Sequence, residues 1–242
     1  MSEGERVVRG AMPASRVVGD FIKSSVGAKV LMALTGLVLW GFLVGHLVGN
    51  LQIFQAPDAI NSYAVFLHSL GHGAALWVVR AALLGCFVLH VVMGLRLAAL
   101  NRAARPIAYA KKRRLRTNPA ALWMAASGVL LLVFLIFHLN HFTTGIFDPA
   151  SFALKDAQGR QDVYRMVWIA FKSPVLVAIY VAAQLFVLSH LMHGTASLWQ
   201  SVGLNHPVWT PVLSGLGRSV AFLIFVGNIA IPLIILIAWG KP

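Results

Sequence analysis

Five apolar runs of about 20 residues divide this chain, and they constrain its fold more than any other feature. Each is long enough to cross the hydrocarbon core of a bilayer. Only 11% of the residues are charged and 59% are hydrophobic, whereas a soluble domain carries roughly 25% charged residues. The expectation is an all-α fold: one integral membrane domain over residues 1–242, built as a bundle of five transmembrane helices. Little is left over for a soluble catalytic domain.

The expected helices run over about 30–50, 75–100, 119–142, 174–199 and 218–239. Asn118-Pro119 and Ser173-Pro174 each read as a cap followed by proline in the first turn, which starts the third and fourth helices. Pro232 is expected to kink the fifth. Pro57, Asp58, Asn61 and Gly71 read as breakers in a loop between the first two spans. The mixed charges of Asp148, Lys155, Asp156, Arg160 and Asp162 rule out a sixth span near 151–172 and leave room there for a short surface helix.

The net charge of +13 is placed mostly at the ends of the apolar runs. Such placement sets topology and meets anionic lipid, so no nucleic-acid partner is expected. The densest basic stretch, Asn101 to Thr117, lies on the same side as the N-terminus in a five-span chain. Both are therefore expected in the cytoplasm, with 1–29 a cytoplasmic segment and the protein multi-pass in the inner (cytoplasmic) membrane. The first apolar run has no clear cleavage site behind it and reads as a retained helix rather than a secretory signal. The single cysteine, Cys86, excludes an internal disulfide, a four-cysteine cluster and a thioether-linked haem.

Histidines inside membrane helices are functional candidates by default. Four of them pair by depth. His46 and His138 each lie about 8 Å from the outer end of their helices, and His90 and His190 about 22 Å in from that same side. The two levels differ by roughly 15 Å. Two histidines at one depth on different helices suit the two axial positions of one haem, and filling both positions favours electron transfer over oxygen binding. The chain is therefore expected to hold two haem b groups, with the iron atoms bound by His46 with His138 and by His90 with His190. The alternative for any one histidine is a neutral side chain bonded to a backbone carbonyl. His193 stays open as the alternative to His190.

His90 and His190 share a His-x-x-x-Gly pattern. Residues i and i+4 lie on one helix face, so Gly94 and Gly194 either clear room for a porphyrin edge or let helices pack closely. Gly49 stands in a similar relation to His46. Arg96 either pairs with a haem propionate or anchors the inner end of its helix, and Arg80 either serves the outer haem or snorkels to the interface. His68, His72 and His141 are expected near the outer surface, most simply solvated, and His206 in the inner connection. Helices 1–2 and 3–4 look like a weak internal repeat.

These residues resemble a known family. Ser25, Gly27, Lys29, Met32, Ala33, Thr35 and Gly36, then His46-Leu47, His90-x-x-x-Gly94 and Phe137-His138-Leu139, occur in order. They are followed by His190-Leu191-Met192-His193-Gly194, Ser197, Gln200-Ser201-x-Gly203 and Asn205-His206-Pro207. The ordered set is similar to the dihaem cytochrome b membrane-anchor subunit of succinate dehydrogenase and fumarate reductase, the succinate:quinone oxidoreductases of respiratory chains. The resemblance implies partners, namely an iron–sulfur subunit and an FAD flavoprotein that carries the succinate chemistry. It also implies quinone as the electron-transfer substrate, with the inner haem nearer the iron–sulfur protein and the outer nearer the quinone. The spans hold no Glu, so a transmembrane carboxylate relay is not expected. The rival readings are a cytochrome b anchor of another respiratory enzyme and a haem-free membrane transporter.

Overall fold

The computed structural model describes residues 13–104 and 119–238, with side chains from 123 onward in the second stretch. The described residues fold into nine α-helices. They are α1 (Ala14–Lys23), α2 (Ser25–Asn50), α3 (Pro57–Ser69), α4 (Ala74–Ala103), α5 (Pro119–His138), α6 (Pro149–Phe152), α7 (Val163–Phe171), α8 (Pro174–Ser201) and α9 (Trp209–Ile237). Five stretches, containing α2, α4, α5, α8 and α9 in turn, are long and apolar enough to cross a membrane. Below, the end of the bundle where α2 begins is called inner and the opposite end outer, after the expectation from charge.

α2, α4, α5 and α8 form a ring in which α2 packs on α4 and α8, and α5 on α8 and α4. α9 braces α8 and α2 from outside the ring. Close approach there depends on small residues, as in membrane bundles generally. A Cβ on Gly217 would lie 2.7 Å from Thr195 Cβ, and one on Gly227 2.8 Å from a Leu47 methyl. The outward faces are apolar and exposed. Trp77, Val78 and Val175 are each 68% exposed, a surface suited to lipid rather than water.

The structure corrects several boundaries. The first span begins at Ser25, not Val30, because Ser24 accepts the Gly27 amide at 2.9 Å and caps the helix early. The N-terminal segment is not merely polar. α1 shows exposed Val17, Val18, Phe21 and Ile22 beside Arg16 and Lys23. Gly27 makes the turn from α1 possible, since a Cβ there would fall 1.9 Å from the Phe21 carbonyl oxygen. The fifth span begins at Trp209, nine residues before Arg218. Pro211 sits in its first turn, where a missing N–H costs no helical bond. The helix runs on through Pro232 to Ile237; Trp239 lies outside the described residues. So do Arg6 and Arg9, and Arg105, Lys111, Lys112, Arg113, Arg114 and Arg116 of the basic stretch.

The largest correction concerns 51–73, expected as a loop. It contains 3-10 turns at Leu51–Phe54 and Leu70–Gly73 with α3 between them. Pro57 and Asp58 are the first-turn residues of α3, so the same signals that read as breakers start a helix. Three successive left-handed residues, Gly71, His72 and Gly73, then kink the chain into α4. The expected surface helix near 151–172 is α7.

α3 and α7 fold together as a cap on the outer end. Asn61 is buried at its centre. Its amide nitrogen donates to Asp162 at 3.2 Å and Asp156 at 3.4 Å, and its oxygen accepts from the Tyr164 amide at 3.0 Å. Arg160 pairs with Asp156 at 2.7 Å and also with Asp58. The carboxylates beside Arg160 hold its guanidinium above its ordinary pKa. Inward from the cap, Ile53, Ile60, Phe171, Val177, Tyr180, Ile231 and Ile235 form the main apolar core.

Candidate histidine-pair sites

The two pairs expected from depth come together as rings. His46 and His138 lie 5.8 Å apart between ring centroids, and His90 and His190 6.3 Å apart. The ring facing His90 is that of His190. All four imidazoles are partly buried inside the α2–α4–α5–α8 ring.

At the inner level both histidines are held through Nδ1. His90 Nδ1 lies 3.1 Å from the Met32 carbonyl oxygen and 3.3 Å from Thr35 Oγ1. A carbonyl only accepts, so His90 Nδ1 carries the proton and Nε2 keeps its lone pair. His190 Nδ1 lies 3.2 Å from Ser127 Oγ. Glycines on the neighbouring helices face the same two rings. A Cβ on Gly36 would stand 3.1 Å from His90 Cε1, and one on Gly128 3.6 Å from His190 Cε1.

The outer level is aromatic. His46 stacks on Phe42 at 5.3 Å. His138 contacts Phe134 at 5.9 Å, Phe142 at 5.8 Å and Tyr180 at 6.0 Å. Tyr180 Oη lies 3.3 Å from His138 Nδ1 and 3.0 Å from His141 Nδ1. One hydroxyl can accept from one imidazole and donate to the other, so Tyr180 joins His138 and His141 in one hydrogen-bonded chain. His141 is 4% exposed, against the expectation that it is solvated. The reason is local: α5 passes into a π-helical turn over Leu139–Thr143, which rolls His141 inward against Phe142.

The other candidates fall as follows. Gly194 has open space where a side chain would be, and Gly94 meets only Met32 Sδ at 3.8 Å. The space beside Gly49 is filled by Tyr63. Arg96 donates to the carbonyls of Ile22 and Lys23, tying α1 to α4. Arg80 lies over the exposed ring of Trp77. His193 is partly buried one turn beyond His190. His68 bonds its own helix at Ala64, and His206 Nδ1 accepts the Val208 amide at the start of α9.

The residues fit a haem by three observations. Two imidazole nitrogens on opposite sides of one metal, each at about 2 Å, put their ring centres about 6 Å apart. The two observed separations have that size. Among the described residues no three His, Cys, Asp or Glu side chains gather as an ordinary metal site; two histidines alone suit a metal that brings its own ring of ligands. Lastly, Trp40 Nε1 and Gln184 Oε1, like Trp168 Nε1 on α7, are buried without a hydrogen-bond partner among the described residues. Trp40 lies between the two levels on α2, and Gln184 lies between Tyr180 and His190 on α8. Buried polar atoms are normally satisfied.

Sequence reasoning reached the four histidines but not their supports, Thr35, Ser127 and Tyr180. A signal was present. Met32-Ala33-Leu34-Thr35-Gly36 precedes His46 as Met124-Ala125-Ala126-Ser127-Gly128 precedes His138, with eleven residues from hydroxyl to histidine in both.

The chain finds no match among protein-family models, curated proteins or solved structures, so the family resemblance rests on its own residues.

Proposed function

We propose that this chain is the membrane-anchor cytochrome b subunit of a succinate:quinone oxidoreductase, in the inner membrane with its N-terminus in the cytoplasm. The observation that carries the reading is the meeting of four histidines of the long apolar helices as two ring pairs at two levels of the bundle, with the Nδ1 atoms of the inner pair engaged. When bound, one b haem at each level supplies one-electron transfer between a cytoplasmic iron–sulfur partner and membrane quinone.

The residues divide the work. His90 with His190, and His46 with His138, would hold the two haem irons through imidazole nitrogens. The hydrogen bonds at Nδ1 set the tautomer and direction of each inner ring, as outer partners of metal-bound histidines generally do. The apolar faces of the four ring helices keep water from both levels. The chain supplies no site for succinate chemistry in this reading, which assigns it to an FAD flavoprotein partner.

The test is a reduced-minus-oxidised visible spectrum of the purified membrane protein, with haem quantified per chain. Two low-spin b haems per chain are expected. Well-folded protein without haem would overturn the reading and bring a haem-free transporter forward. The subunits that copurify separate a succinate:quinone oxidoreductase from another respiratory enzyme.

A further inference from the structure

The inner histidines lean on the helices that carry the outer ones. Thr35 and Gly36 of α2 face His90 on α4; Ser127 and Gly128 of α5 face His190 on α8. Each hydroxyl–glycine pair begins eleven residues before the outer histidine on its own helix, about 16 Å along the axis. The same device thus occurs twice, once in each half of the bundle.

Each hydroxyl has a carbonyl acceptor on its own helix. Thr35 Oγ1 donates to the Leu31 carbonyl at 2.7 Å, and Ser127 Oγ to the Met124 carbonyl at 3.1 Å. A hydroxyl has one proton. With that proton given to its own helix, each oxygen faces the imidazole as an acceptor. In that arrangement both Nδ1 atoms keep their protons, as the Met32 carbonyl independently requires at His90, and both Nε2 atoms keep a lone pair. The glycine that follows each hydroxyl leaves the Cε1 edge of the ring clear.

We propose that Thr35 and Ser127 are positioning residues that lock the inner histidines in the tautomer able to bind iron through Nε2, and that they lower the potential of the inner haem. The proposal rests on the haem reading above. An acceptor at Nδ1 makes the imidazole a stronger base, which favours the oxidised metal. The two supports are unequal. His90 Nδ1 also has the Met32 carbonyl, whereas among the described residues Ser127 alone partners His190 Nδ1.

The experiment is redox potentiometry of the purified protein carrying Ser127→Ala, Ser127→Thr or Thr35→Val, with haem counted per chain. Ser127→Ala is expected to raise the inner midpoint potential and leave the outer one in place. Thr35→Val should raise it less, because Met32 still accepts. Ser127→Thr keeps the hydroxyl and should stay close to the parent. Loss of the inner haem in Ser127→Ala, with both haems kept in Ser127→Thr, supports the same role, since outer partners govern metal affinity by about 10–100-fold. Two haems with unmoved potentials in Ser127→Ala and Thr35→Val would overturn the positioning role and leave the haem reading standing. Absence of haem from the parent protein overturns both.

Discussion

The two histidine levels are built from different materials. The inner pair is held by small residues: two hydroxyls, one carbonyl and two glycines, all on neighbouring spans. The outer pair is wedged among rings, Phe42, Phe134, Phe142 and Tyr180, beneath a folded polar cap. Hydrogen bonds from rigid helices fix the direction of an imidazole closely. Ring packing excludes water more completely and fixes direction less. The inner level is thus held mainly by polar atoms of neighbouring helices, and the outer mainly by ring packing with the one shared hydroxyl of Tyr180.

The sharpest way to break this comparison is to delete one ring at a time. His90→Ala or His190→Ala should take haem from two per chain to one and leave the outer band of the difference spectrum. His46→Ala or His138→Ala should do the reverse. Both haems surviving each single change would remove the pairing. Next in size is the cap. Asn61→Ala leaves the Tyr164 amide unpaired and withdraws a donor from buried Asp162, a cost of about 1–3 kcal/mol. Thermal unfolding in detergent should move down, with the outer haem lost before the inner. Simultaneous loss would mean that the cap does not shield one level in particular.

A smaller effect is expected from Tyr180→Phe, which keeps the ring packing and removes the hydroxyl shared by His138 and His141. Potentiometry should show the outer midpoint moved and the inner fixed. The smallest effect is at Asp148, whose carboxyl is held below the usual range by hydrogen bonds from Ser151 at the start of α6. Because the folded value is depressed, this contribution is present above the unfolded carboxylate pKa and is lost as pH falls through the folded one. Acid titration of Asp148→Asn beside the parent should show a slightly shallower loss of stability in the variant.

The spans, the depth matching and the four paired histidines were legible because they rest on periodicity and helix rise, which the sequence carries directly. The supports were not, because Thr35 and Ser127 act across helices, and spacing along one helix says nothing of what faces it from the next. The cap was hidden for another reason. Pro57 and Asp58 are both loop residues and helix-start residues, and only Asn61 closing on Asp162, 101 positions away, decides between the two. Likewise the π-turn that buries His141 leaves no composition signal.

Each ring pair takes one histidine from the α2–α4 half and one from the α5–α8 half. Neither half contains a complete pair. A group seated on either pair is therefore also a clasp between the halves, and the second half must be inserted before the first can be loaded. In the haem reading, two separately expressed halves, which already share the packing of α2 on α8, should join more tightly when the pigment is supplied than in a haem-starved cell, and assembly of the bundle would follow cofactor supply.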